Sequence, residues 1–216
     1  MSGVRRAYAD IGGRQLHYRY AGDPAAPALL LLHQSPSSSA MHELLMAALA
    51  DRFFLLAPDN PGFEGSDALA PGFGFDAVAG GFAGLLEVLG IARCYVFGHH
   101  SGAAVAVQLA TDQPSRCNAL ALSGPTLLSE QQQRELPESV SPFPVDGAGG
   151  HLVQMWERIR AKDPDAPLAL IQREVLSAVA SGENYQGTLI ARYVLRISGR
   201  CCRRWLICWR PFLQCQ

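Results

Sequence analysis

The chain has 216 residues, 49% of them hydrophobic, and its formal net charge is −1. This length suits one domain with a small inserted lid at most, and the apolar fraction is typical of a globular core and excludes a disordered chain. The small net charge gives no support for nucleic acid as a partner, and no apolar run is long enough to span a bilayer or to form a signal peptide, so we expect a cytoplasmic protein.

Strands and helices alternate along the first half of the chain. Residues 8–11 and 15–20 are predicted to form a hairpin that turns at Gly12-Gly13. Buried strands are predicted at residues 28–32, 53–57, 94–97 and 118–123, and helical stripes at residues 41–49, 78–89 and 102–112. This alternation predicts an α/β fold, a mainly parallel sheet with helices on both faces. Ligands bind such sheets at the carboxyl ends of the strands, where His33, Gln34, Asp59 and His100 stand.

Residues 94–102, Cys-Tyr-Val-Phe-Gly-His-His-Ser-Gly, combine a predicted strand, a sharp turn and the start of a helix. Gly98 and Gly102 flank His100 symmetrically, two residues away on either side. This is the spacing of a nucleophile elbow, in which small flanking residues let crowded backbones approach each other. A register centred on Ser101 would put the larger His99 in a flanking position, so we place His100 at the apex.

The second half of the chain has a different pattern. Residues 129–150 are polar and rich in Pro and Gly and are predicted to form a long loop. Helical stripes follow at residues 152–159 and 168–179, with no strand between them. The two helices are interpreted either as a lid over the site or as core helices of the same domain.

Three segments together resemble the α/β-hydrolase superfamily, in the branch of haloalkane dehalogenases, epoxide hydrolases and small esterases. Residues 33–36, His-Gln-Ser-Pro, are similar to the family's His-Gly-x-Pro, and residues 59–66 to its Asp-x-Pro-Gly-x-Gly-x-Ser loop, although Gly65 and Ser66 are adjacent here. Residues 98–102 are similar to the elbow. The resemblance covers residues 8–125, weakens across the lid region and ends near Ile197.

The resemblance implies an oxyanion site made by two backbone N–H groups, those of Ser101 and Gln34. Gln34 could also donate through its side-chain amide, or it could only fill loop space. His33 and Trp156 are candidate substrate contacts. Asp59 is interpreted as an acceptor that ties its loop. The family's catalytic acid and late His have no counterparts here, because Ser123-Gly124-Pro125 follows the sixth strand and only His151 lies downstream, so no triad is assigned.

We expect no cofactor and no metal. Histidines 33, 99 and 100 could approach one another, but no carboxylate or Cys completes a ligand spacing. Cys94 and Cys117 are interpreted as inert core thiols.

The composition changes at residue 199. The tail is rich in Arg, Cys and Trp, contains no acidic residue and fits neither strand nor helix periodicity. We interpret residues 199–216 as a frameshifted or foreign ending that replaces the last strands and the catalytic His of a longer hydrolase. A basic, Cys-rich membrane-surface anchor is the alternative. Missing strands would leave a sheet edge unpaired and favour self-association.

The sequence therefore predicts a hydrolase core over residues 1–125, a helical lid over residues 126–198 and an atypical tail. The expected function is an α/β-hydrolase-like enzyme that acts on a small uncharged ester, amide or related carbonyl compound, with His100, Ser101 and Gln34 at the site. An imidazole at the apex could activate water as a general base, or serve a lyase or isomerase. The alternative is an inactive or truncated protein that binds a ligand or partner without turnover.

Overall fold

The computed structural model describes residues 3–70, 73–125, 131, 144–182 and 206–208. Its strands are β1 (Arg5–Asp10), β2 (Gln15–Ala21), β3 (Ala28–Leu32), β4 (Phe54–Pro58), β5 (Cys94–His99), β6 (Cys117–Ser123) and β7 (Leu206–Cys208). Its helices are α1 (Glu43–Leu49), α2 (Phe75–Val88), α3 (Ser101–Asp112), α4 (Gly150–Arg160) and α5 (Leu168–Ala180), and a 3₁₀ turn covers Ser39–His42. Within the described ranges, no helix combines the length and apolar character that crossing a membrane requires.

All the described strands form one sheet in the order β1-β2-β4-β3-β5-β6-β7. β2 pairs antiparallel with both β1 and β4, whereas every pairing from β4 to β7 is parallel. The mainly parallel α/β sheet predicted from the alternation of strands and helices is therefore confirmed.

The short strand β7 was not expected in the tail. Its residues pair with Leu120, Ala121 and Leu122 of β6. A strand of three residues is too short to show a periodicity, and therefore the sequence pattern of the tail did not reveal it. Over these three residues, the edge of β6 that we expected to be unpaired has a neighbour.

Both faces of the sheet are covered. Leu30 and Leu32 of β3 belong to the larger apolar cluster, which α2 and α3 complete, whereas Leu31 belongs to a smaller cluster with Met46 of α1 and Leu55 of β4. Successive residues of a strand point to opposite faces, so a run of leucines fills both layers at once.

The turn between β5 and α3 is tight and closely packed. β5 ends at His99 and α3 begins at Ser101, so His100 alone makes the turn, with φ of 54° and ψ of −115°. A Cβ on Gly98 would lie 2.5 Å from the Gly102 carbonyl oxygen, and a Cβ on Gly102 would lie 2.3 Å from that of Leu32. The flanking glycines therefore have the steric role that their spacing predicts.

Helices α4 and α5 pack against each other through an apolar cluster of their own. Its buried members are Met155, Ile159, Ile171, Val175 and Ala178. This cluster is separate from the two clusters of the sheet. The amphipathic stripes are thus confirmed as helices, and the pair forms a distinct layer.

The stability of the fold should fall as the pH is lowered, in part because of His42. Burial, and then the nearby His33 and His99, lower the pKa of His42 to about 3. Its Nε2 has no hydrogen-bond partner among the described residues. Below pH 6.5 the imidazole of His42 binds a proton in the unfolded chain but stays neutral in the folded chain. The free energy of unfolding therefore decreases with falling pH. Between pH 7 and pH 5, His42 should lower the free energy of unfolding by about 2 kcal/mol, and the His42→Leu variant should lack this loss.

Urea unfolding at the two pH values measures this difference. The matched control is Met46→Leu, a fully buried position of α1 without a titratable group, which should leave the pH dependence as it is in the parent. An unchanged pH dependence in the His42→Leu variant would show that His42 does not remain neutral in the fold.

The elbow should not tolerate a methyl group at position 102. In Gly102→Ala the new Cβ meets backbone carbonyl oxygens, which cannot move aside as a side chain can. We expect a loss of about 1–3 kcal/mol in the free energy of unfolding. The matched control is Gly81→Ala in α2, where a Cβ meets nothing within 4 Å and should stabilise the helix by about 0.5–1 kcal/mol. If Gly102→Ala were as stable as Gly81→Ala in urea unfolding, the close approach would be wrong.

Candidate active site

The apex residue His100 stands at the carboxyl end of β5, with its side chain exposed. Its backbone N–H donates to the Ser123 carbonyl at 2.9 Å, which ties the turn to the end of β6. Its ring lies edge-on to that of His99, with centroids 5.8 Å apart, and a Cβ built on Gly124 would come within 3.9 Å of it. The positive φ of His100 is a strained conformation for a residue with a Cβ, and such strain clusters at functional sites.

The electrostatic environment of His100 favours the neutral imidazole. Although the residue is exposed, neighbouring groups shield its ring from part of the water; this shielding, and then the positive charge of Lys162, lower the pKa of His100 from its ordinary value. The N-terminus of α3, which starts at the next residue, has a partial positive charge that acts in the same direction. At neutral pH the ring can therefore accept a proton.

Ser101 lies directly below the apex, with its side chain turned away from it. The residue is 2% exposed, and its Oγ accepts a hydrogen bond from the Ser35 N–H at 2.7 Å. This bond fastens the loop after β3 to the first residue of α3. It places Gln34 and Ser101, whose N–H groups were expected to form an oxyanion site, on two segments that are held together.

His33, expected to contact substrate, is instead enclosed between two loops. It has no exposed surface, its Nδ1 donates to the Gln34 carbonyl at 2.7 Å, and its Nε2 accepts from the Asn60 N–H at 2.8 Å. Burial lowers its pKa, so the ring is neutral. With both ring nitrogens engaged, His33 connects the loops after β3 and β4 and presents no ring nitrogen to a substrate.

Asp59 is the centre of a buried polar network beneath these loops. Its carboxylate bonds Nδ1 of His17 and accepts from the Ser39 N–H. Burial alone raises its pKa, but the bond from His17 and the proximity of His33 outweigh this effect, so the pKa of Asp59 is below its usual range. Ser66 closes the loop, since its Oγ accepts from the His17 N–H at 3.0 Å and donates to the Asp59 carbonyl at 3.1 Å. The interpretation of Asp59 as the acceptor that ties its loop agrees with this geometry.

Two of the three histidines considered for a metal site, His33 and His99, have other partners. The ring of His99 contacts the Ser123 hydroxyl at 3.2 Å through Nδ1, and both nitrogens of His33 are engaged as described above. Across the described ranges, no group of three or more His, Cys, Asp or Glu side chains is arranged to hold a metal ion.

A cleft of about 260 Å³ lies between the loop after β3 and the α4–α5 pair. Its wall includes Gln34, Met41, Ile159, Lys162, Ile171 and Glu174. Trp156, expected to contact substrate, is half-buried and packs against the apolar cluster of the two helices. The cleft is mostly apolar, with one wall made by the predicted oxyanion loop and the other by the helices.

Polar contacts fasten α5 to the core beside this cleft. Glu174 accepts from the Ser37 hydroxyl at 2.7 Å, Ser177 and Ser38 share a hydrogen bond of 3.2 Å, and Ser177 also contacts Glu64 at 3.4 Å. Glu64, with φ of 48°, is the other non-glycine residue of the described chain with a positive φ.

Sequence reasoning missed two features of this region, the contacts of the serine-rich loop with α5 and the position of Lys162 on the cleft wall. The contacting residues of the serine-rich loop and α5 are more than a hundred residues apart in the chain, as are Lys162 and Gln34 on the cleft wall, and no local pattern links them. For Lys162 a signal did exist, because it is the only lysine in the chain.

Comparison with known proteins agrees with this geometry. The sequence model of the alpha/beta hydrolase fold matches residues 27–170, from β3 to α5. An uncharacterized hydrolase of Saccharomyces cerevisiae is 35% identical over 109 residues, which are 50% of this chain and 38% of that protein. A 2-(acetamidomethylene)succinate hydrolase of Mesorhizobium japonicum is 35% identical over 105 residues, 49% of this chain and 37% of that protein.

The chain thus spans little more than a third of the length of these two relatives. Among solved structures, the enol-lactonase of Burkholderia xenovorans superposes with a TM-score of 0.68 over 86% of this chain and 74% of that chain, at 22% identity, which supports the fold. Because the family model covers two thirds of the chain and includes the elbow, this protein belongs to the α/β-hydrolase fold family.

Proposed function

We propose that the chain hydrolyses a small ester, amide or related carbonyl compound, with His100 as the general base. The observation that carries this proposal is the backbone at His100, which makes the strained strand-to-helix turn and exposes the imidazole at the end of the sheet. In this family the same turn presents the catalytic nucleophile. Here it presents a group that can instead take a proton from water.

The proposed reaction uses groups on two segments, the elbow and the loop after β3. A water molecule attacks the carbonyl carbon while His100 accepts one of its protons. The oxyanion that forms is held by the N–H groups of Ser101 and Gln34, and the positive end of α3 adds to this stabilisation. When the tetrahedral intermediate collapses, the imidazolium returns the proton to the departing alkoxide or amine.

Two further observations support this assignment. The bond from the Ser35 N–H to Ser101 Oγ keeps the predicted oxyanion loop beside the elbow. The lowered pKa of His100 leaves its ring neutral at physiological pH, which a general base requires. We propose in addition that α4 and α5 belong to the lid that the sequence predicts within residues 126–198. Both helices border the cleft and share an apolar cluster of their own.

Hydrolysis of p-nitrophenyl butyrate tests the proposal. His100→Ala should lower kcat/KM by about 10²–10⁴-fold, because no base remains at the apex. The matched control is His151→Gln, a histidine at the start of α4, which should keep the parent rate. In the parent, kcat/KM should rise with pH through a pKa below 6.5 and then level off, since only the neutral imidazole accepts a proton.

Imidazole cleaves activated esters even without an active site. The rate measured with the heat-denatured chain, whose histidines are all exposed, therefore serves as the background. Ser101→Ala keeps its backbone N–H and should lose less activity than His100→Ala. Equal background rates in the parent, His100→Ala and Ser101→Ala would remove the enzymatic assignment. Saturable binding of the ester without turnover would then favour the non-catalytic alternative.

A further inference from the structure

The cleft wall carries a cation that the hydrolytic reaction above does not use. Lys162 follows α4, and its side chain lines the cleft that Gln34 lines from the other side. It is also close enough to His100 for its charge to lower the pKa of that ring. Lys162 therefore lines the cleft and lies within electrostatic range of the apex of the elbow.

The other charged groups of the cleft wall have partners. Arg173 donates to the Glu174 carboxylate at 2.7 Å, and Glu174 also accepts from Ser37. Asp163 accepts from the Asp165 N–H at 3.2 Å. For Lys162, by contrast, no carboxylate of a described residue lies within 4.0 Å. Removal from water, and then the charge of Arg158, lower the pKa of Lys162, and the charge of Glu174 on the same wall offsets this effect only in part.

An ammonium group in this position should attract an anion. The rest of the wall is largely apolar, with Met41, Ile159 and Ile171 available for a short hydrocarbon chain. A ligand that satisfies both features has a carboxylate at one end and a carbonyl group, carried by a short chain, at the other. From the sequence alone we expected an uncharged compound, and the charge of Lys162 changes this expectation.

We infer that Lys162 binds the carboxylate of the substrate, so that the preferred substrates are short-chain dicarboxylate monoesters or monoamides. The inference rests on the proposed function for the reaction at His100. The carboxylate would lie against Lys162 and the acyl carbonyl would lie at Gln34 and Ser101. Lys162 is then a specificity-determining residue that acts through charge.

Two matched esters test this selectivity. Mono-p-nitrophenyl glutarate and p-nitrophenyl valerate have the same three-methylene spacer, and only the first has a terminal carboxylate. In the parent chain kcat/KM should be about tenfold higher for the glutarate ester, the size expected for one charge-assisted contact. Lys162→Met should abolish this preference, so that the two esters are cleaved with similar kcat/KM. Arg160→Met, an exposed cation two residues away in α4, should retain the preference.

Binding of glutarate and of glutaramide, measured by calorimetry on the full chain, gives a second readout that needs no turnover. The parent should bind glutarate more tightly than glutaramide, and 0.5 M NaCl and Lys162→Met should each remove the difference. Circular dichroism and thermal unfolding of each variant verify that the fold is intact.

Each outcome decides the inference. The inference would be overturned if Lys162→Met kept the parent's preference for the glutarate ester, or if Arg160→Met lost that preference. It would also be overturned if the parent bound glutarate and glutaramide equally. If Lys162 only stabilised the end of α4, Lys162→Met would lower the melting temperature and keep the preference for glutarate. If neither ester were cleaved above the His100→Ala rate, the proposed function would fail, and the calorimetric comparison would still decide whether Lys162 binds a carboxylate.

Discussion

Three backbone segments, the end of β3, the end of β5 and the start of α3, meet within contact distance at Gly98 and Gly102, and the site depends on this contact. A side chain at either position would overlap a carbonyl oxygen of a neighbouring segment. The close approach lets a single residue, His100, join strand to helix, and it directs the N-terminus of α3 to the carboxyl end of the sheet. The imidazole, the N–H group of Ser101 and the loop that contains Gln34 are neighbours because of this packing.

The loops around the elbow are held by buried polar groups, and the hydrogen bonds between these groups offset the cost of burying them. Asp59, with no exposed surface, bonds His17 on β2 and the backbone of Ser39, while His33 connects the loops after β3 and β4. The bond between the Ser35 N–H and Ser101 then links this network to the elbow. These residues position the segments on which the reacting groups lie. The buried pair of His17 and Asp59 therefore has a structural role beneath the site.

Features that depend on local sterics could be predicted from the sequence, and features that depend on distant partners could not. The glycine spacing around His100 predicts the turn because the clash it avoids is set by the backbone alone. The leucine run at residues 28–32 predicts a strand covered on both faces because successive side chains alternate. By contrast, His33 was assigned to the substrate from its position after a strand, and only the placement of Asn60 reveals its connecting role. The contacts of Ser177 and the position of Lys162 on the cleft wall are likewise set by how the helices α4 and α5 pack onto the core.

The central claim is that His100 is a neutral base beside an oxyanion site, and NMR titration of imidazole-labelled histidines tests it most directly. The His100 signals are assigned by their absence in His100→Gln, and the titration is repeated with a trifluoromethyl ketone, whose hydrate resembles the tetrahedral intermediate. The account predicts that His100 titrates below pH 6.5 and that its signals shift when the ketone binds. A His100 that titrates at or above pH 6.5, with signals unaffected by saturating ketone, would contradict it.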